Sequence, residues 1–175
     1  TGKSSTGKST SLRNLVDPHG VMYLNCESGK EIPFSKDDAG NSVKFQEGIV
    51  TNPNQVPVAI DQAETMKDIH TVVIDSVSFL MDMYESKMVL PAVNTMKAWG
   101  DYAQFFKTLM YDYIAKLTCA SIMLGHVEGI LDEASGRWSY SVPVKGSLKK
   151  NGLEAYFTTV IGAKKLPIRD IEKDA

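Results

Sequence analysis

The segment Gly2-Lys3-Ser4-Ser5-Thr6-Gly7-Lys8-Ser9 fits the spacing G-x-x-x-x-G-K-[ST] at every fixed position, the pattern of a loop that wraps phosphate groups. Each residue type has a physical task there. Glycines let backbone N–H groups turn inward around the phosphates, where side chains would collide. A helix opening near Lys8 would aim its positive end at the same charges. The Lys8 ammonium is expected to reach the β- and γ-phosphates, the Ser9 hydroxyl to bind Mg²⁺, and Thr10 to reach the α-phosphate.

Asp75 closes the β-branched run at 71–74 and is the natural second Mg²⁺ ligand, opposite Ser9. The same position would suit a helix N-cap, a duty that Ser76 can also take. Hydrolysis further needs a carboxylate or amide to orient the attacking water. No Glu follows Asp75 directly, so the candidate is Glu27, just after the apolar run 21–26. A strand adjacent to the one feeding the phosphate loop would deliver it to the C-terminal edge of a parallel sheet, where ligands bind. Residue types alone leave Glu27 open between that role and an exposed loop acid. They leave His126, beyond the apolar run 119–124, open between a γ-phosphate sensor and an ordinary solvated histidine.

These side chains need a scaffold that brings them together. The apolar runs 21–26, 71–75 and 119–124 predict buried strands. Helices are expected over 8–16, 59–68, 77–89 and 98–117. In the last of these, Trp99, Tyr102, Phe105, Phe106, Leu109, Tyr113 and Leu117 recur at helical spacing, a core-facing stripe. Residues 28–58, rich in Gly, Pro, Asn, Asp and Ser, predict mainly loop with a short strand near 43–45. A hairpin is expected from 127–131 and 137–142, and a last strand over 156–163, both extending the sheet at one edge. Alternating strands and helices predict one α/β domain over 1–175, with a mainly parallel sheet covered on both faces and a C-terminal antiparallel extension. A phosphate loop is normally fed by a buried strand, yet the chain opens at Thr1-Gly2 and stops after 169–175 without a closing element. It is therefore expected to be a fragment, truncated at both ends and lacking the strand before the loop.

With 175 residues, 43% of them hydrophobic, the chain has material for one buried core. A net charge of −2 creates no global basic field that would advertise nucleic acid. Nothing resembles a signal peptide or approaches the roughly 20 apolar residues of a membrane span, so no membrane partner and a cytoplasmic location are expected. Cys26 and Cys119 are expected as reduced, buried thiols.

The motif order resembles the RecA-like P-loop ATPase core, closest to the small phage-encoded AAA/RecA-type ATPases associated with recombination and single-strand annealing. Four features carry the resemblance: GKSSTGKS at 2–9, VMYLNCES at 21–28, TVVIDSVSFL at 71–80, and the strand ending in Gly125-His126. Residues 143–166 also look like the tail of those phage proteins. The resemblance implies a three-layer P-loop NTPase fold, ATP and Mg²⁺ as ligands, and DNA-stimulated ATP hydrolysis. It also implies single-stranded DNA as partner, a homo-oligomer, and the cytoplasm of a bacterial host. Glu27 matches the family's water-activating glutamate, and His126 falls where those proteins place a polar γ-phosphate sensor, usually Gln. The segment after His126 matches their DNA-binding loop, but Glu128, Asp132 and Glu133 give it an acidic start that opposes phosphate contact. Arg137, Lys145, Lys149 and Lys150 form the best local basic strip, with Trp138 or Tyr140 as stacking surfaces for bases. The other reading of that strip is a solvated lysine face. Such sites are completed by a cation from the neighbouring subunit, for which Lys164 and Lys165 are candidates. Arginines are scarce here (Arg13, Arg137 and Arg169).

Two further readings stay open. One is a nucleotide-dependent switch or DNA-binding accessory protein with little hydrolysis. The other is a small-molecule P-loop kinase, disfavoured because a phosphate lid usually draws on several arginines and Arg137 is the one between Asp75 and residue 169.

Overall fold

The computed structural model describes residues 1–133, 135–150 and 152–166. Val21–Asn25 (β1), Gln46–Ile49 (β2), Thr71–Asp75 (β3) and Ala120–Met123 (β4) form a parallel sheet in the order β2-β1-β3-β4. Strand side chains alternate between faces, so each central strand feeds two cores. Leu24, Val72 and Ile74 pack with the helices Gln55–Thr65 (α1), Val77–Tyr84 (α2) and Thr95–Thr108 (α3). Val21, Tyr23 and Val73 pack the other way, onto Leu12, Phe45 and the half-buried Leu15, Phe34 and Ile122. Helices thus cover one face, and a 3-10 helix with the loop after β1 covers the other. This α/β arrangement is compatible with the three layers expected.

The aromatic stripe of α3 is core, as its spacing predicts. Tyr102 and Phe106 are buried, and Trp99 and Phe105 pack at the margin of the same cluster. Tyr84 of α2 joins them, its ring centroid 4.8 Å from Phe105 and 5.6 Å from Tyr102. Each such pair adds about 0.5–1.5 kcal/mol beyond area burial. α2 and α3 both continue as π-helical turns, over Glu85–Val89 and Leu109–Tyr113.

Other elements differ from expectation for identifiable reasons. The helix expected over 8–16 is a short 3-10 helix, Ser9–Asn14. Ser11 Oγ turns back to donate to the Lys8 carbonyl at 2.6 Å, and hydroxyls of this kind compete with regular helix bonding. The strand expected near 43–45 lies at β2 instead, because Val43 and Phe45 are used as apolar cover for the sheet. α1 begins at Gln55, earlier than the pattern suggested. Its side-chain Oε1 accepts from the Thr51 and Asn52 N–H groups at 2.7 and 2.8 Å, and Pro57 is tolerated in a first turn. α3 likewise opens early, with Asn94 Oδ1 accepting from the Lys97 N–H at 3.0 Å as a cap.

The C-terminal part does not extend the sheet. Glu128–Asp132 (β5) and Arg137–Ser141 (β6) pair antiparallel as a separate two-stranded sheet. The strand expected over 156–163 is absent as such: Tyr156 closes the 3-10 helix Glu154–Tyr156, and Ala163 makes an isolated parallel bridge to Gly2. A strand needs a paired neighbour, and the one found here is the short stretch Thr1-Gly2. The Thr1 carbonyl accepts from the Ala163 N–H at 2.7 Å, while the Gly2 N–H donates to the Gly125 carbonyl at 3.1 Å. Thr1-Gly2 therefore occupies a slot between the end of β4 and Ala163. A cleft of about 490 Å³ continues that slot along the outer edge of β4, between Ile122 on one side and Val160 on the other. Arg169 and the rest of 167–175 lie outside the described residues. No helix among those described is long and apolar enough to cross a membrane.

Candidate functional site

The loop from Gly2 to Ser9 is shaped by two glycines that cannot be replaced without distortion. A Cβ on Gly2 would lie 2.6 Å from the Ala163 carbonyl, and Gly7 adopts φ +90°. Between them the chain curls around Lys8. The Lys8 ammonium donates to the Gly2 and Lys3 carbonyls, both at 2.9 Å, and lies 3.4 Å from His126 Nδ1. Burial pushes the Lys8 pKa below the usual lysine range. The Asp75 and Glu27 carboxylates oppose that shift, and Lys30 adds to it.

Asp75 sits at the end of β3, buried, and one of its oxygens accepts two hydroxyl hydrogen bonds. Ser9 Oγ donates to Oδ2 at 2.7 Å and the Tyr23 hydroxyl donates to it at 2.6 Å. Ser9 thereby commits its proton to Asp75 and keeps its lone pairs for a cation, the donor set a Mg²⁺–phosphate group requires. Tyr23 was not among the sequence candidates. It lies on β1, paired in register with Val73, and only that strand order aims its hydroxyl at the β3 carboxylate. The available signal was a phenol inside an otherwise apolar run. Burial first, then the Asp75 contact, raises the Tyr23 pKa far above its ordinary value, so it remains a donor at any working pH. Partners that orient a metal ligand typically contribute about 10–100-fold in metal affinity. Tyr23→Phe is accordingly expected to raise the Mg²⁺ concentration needed for half-maximal nucleotide binding by about tenfold. An unchanged Mg²⁺ titration would show that Ser9 alone orients Asp75.

Glu27 follows β1, but β1 is not adjacent to the strand position that feeds the loop. That position lies beyond β4, at the other side of β3. Glu27 nonetheless reaches the C-terminal edge of the sheet. Its Oε1 lies 3.6 Å from His126 Nε2 and its Oε2 lies 3.3 Å from Lys30 Nζ, so it is no freely solvated loop acid. Its backbone is fixed by its N–H donating to Asn25 Oδ1 at 3.0 Å. His126 is held by its backbone N–H donating to Ser78 Oγ at 2.9 Å, and by an edge contact with Phe79 at 5.7 Å between ring centroids.

Lys8, Ser9, Thr10, Asp75, Glu27 and His126 line a single cavity of about 370 Å³. Ser4, Ser5 and Gly7 complete its loop side. The Lys8 ammonium, the Ser9–Asp75 hydroxyl–carboxylate pair and the Glu27 carboxylate thus converge on one space, with Lys30 and Glu31 also on its lining. Both cysteines are free thiols; beside this cavity, Cys26 is buried and its pKa is pushed up to about 12 by burial, with Asp75 and Glu27 adding to the shift.

The basic residues are placed elsewhere. Lys145 is exposed, forms an ion pair with Glu85 and stands 6.0 Å over the Trp99 ring. Lys149 is exposed on the 3-10 helix Gly146–Lys150; the side chain of Lys150 lies outside what is described. Arg137 is exposed at the start of β6, and Lys164 and Lys165 are exposed just beyond the Ala163 bridge. On the hairpin, Trp138 and Tyr140 stack with centroids 6.4 Å apart and an interplanar angle of 21°. They are 59% and 58% exposed, an uncommon display for two large aromatic rings.

No protein-family model and no curated protein matches the chain.

Proposed function

We propose that the chain is a Mg²⁺-dependent ATP-binding and ATP-hydrolysing protein of the RecA-like P-loop class, acting as an oligomer in phage-type DNA recombination or replication. The observation that carries the reading is the convergence of Lys8, Ser9, Asp75 and Glu27 on one cavity at the C-terminal edge of a parallel sheet. Lys8 is positioned to neutralise charge on the β- and γ-phosphates once it exchanges its carbonyl partners for them. Ser9 and Asp75 would hold the cation, with Tyr23 fixing the carboxylate. A Mg²⁺ ion held there would supply screening of the phosphate charge and Lewis-acid polarisation. Glu27 orients the attacking water and takes its proton.

The stacked, exposed Trp138 and Tyr140 support single-stranded DNA as partner, since unpaired bases stack on aromatic faces. The test is ATP hydrolysis with and without single-stranded DNA across a salt series. Stimulation that fades as salt rises is expected. Turnover indifferent to DNA would remove the recombination role while leaving the nucleotide chemistry in place, and no turnover in either condition would remove the hydrolase reading.

A further inference from the structure

His126 joins two groups that the proposed reaction uses separately, and its hydrogen bonding dictates the direction of the link. A lysine ammonium has three N–H donors and no acceptor. Those of Lys8 face three acceptors: the Gly2 carbonyl, the Lys3 carbonyl and His126 Nδ1. Nδ1 must therefore accept, which places the ring proton of a neutral imidazole on Nε2. That nitrogen is buried without a hydrogen-bond partner among the described residues, and Glu27 Oε1 lies 3.6 Å from it. A buried donor left just short of an acceptor favours closing the gap, because an unmade bond there costs more than a made one gains. The backbone of His126 is anchored by its N–H donating to Ser78 Oγ, and the ring meets Phe79 edge-on, so the imidazole turns about a fixed root.

We propose that His126 is a positioning residue that couples Lys8 to Glu27. With no phosphate present, Lys8 holds Nδ1, which fixes the tautomer and aims Nε2–H at the Glu27 carboxylate. When Lys8 is drawn onto a phosphate, Nδ1 is released, the imidazole is free to pivot, and the geometry of Glu27 changes with it. Glu27 is thus set by the occupancy of the loop. This inference rests on the proposed function for its kinetic consequence, but not for the link itself.

The test has two arms. In ¹⁵N-histidine spectra of the nucleotide-free protein, with His126 assigned by the signal lost in His126→Gln, the Nε2–H tautomer is expected. Adding Mg²⁺ and a non-hydrolysable ATP analogue should shift that signal, and Lys8→Met should erase the tautomer preference before any nucleotide is added. A stable Nδ1–H tautomer in the nucleotide-free protein would overturn the relay whether or not ATP is hydrolysed. In the kinetic arm, His126→Leu is expected to lower kcat about tenfold, the effect of one lost hydrogen bond to a charged group, with nucleotide affinity unchanged. His126→Gln, whose amide both accepts and donates, should recover most of that loss. Equal kcat in the leucine variant and the wild type would also overturn the proposal. Absence of turnover in the wild type would count against the hydrolase reading alone, because the tautomer arm still decides the link.

Discussion

Glu27→Gln is expected to cut ATP turnover by about 10²–10⁴-fold, the usual contribution of a positioned general base, while leaving ATP binding near the wild-type level. The substitution is nearly isosteric and keeps a hydrogen-bonding amide beside His126 and Lys30, so the fold should not register it. What it removes is the carboxylate that accepts the water's proton. Single-turnover hydrolysis together with titration of a fluorescent ATP analogue separates the two effects. Equal turnover in variant and wild type would exclude Glu27 as the base.

Lys8→Ala should act on binding rather than on the chemical step alone. Truncating one partner of a buried, hydrogen-bonded charge pair costs about 2–5 kcal/mol, which corresponds to at least roughly a thirtyfold loss of affinity. The same truncation strips the Gly2 and Lys3 carbonyls of the donor they share. The loop should therefore lose shape as well as charge. Nucleotide titration measures the first effect, and proteolytic sensitivity of residues 2–9 reports the second. Unchanged affinity would show that the loop does not hold phosphates, whatever its sequence pattern.

The parts of the site legible in the sequence were those whose meaning is local. The loop spacing names Lys8 and Ser9, and an acid closing a β-branched run names Asp75; the 2.7 Å contact between Ser9 and Asp75 puts them together. The α3 stripe was equally legible because helical spacing is a short-range property. What stayed hidden depends on which distant strands pair. Tyr23 matters because β1 lies beside β3, and nothing in the run 21–26 says so. Nor does the sequence pair Lys145 with Glu85, which lies far away along the chain. The helix after the loop was overestimated because the Ser11 hydroxyl turns back to the Lys8 carbonyl, and hydroxyl side chains of this kind compete with regular helix bonding. The strand at 156–163 is reduced to the isolated bridge of Ala163 to Gly2, because β character is realised only where a neighbour pairs with it.

Gly2 has one more role, visible only in its backbone. Its N–H donates to the Gly125 carbonyl at 3.1 Å and its carbonyl accepts from the Val127 N–H at 3.3 Å, so the two bonds straddle His126. Glu128, the next residue, begins β5. The entrance of the phosphate loop and the root of the aromatic hairpin are thus riveted to each other across a single residue. Under the proposed function, a displacement of the loop at that point would reach the hairpin that carries Trp138 and Tyr140 through these two bonds. Gly2 is the joint between them, with the loop of residues 2–9 on one side and the exposed rings of the hairpin on the other.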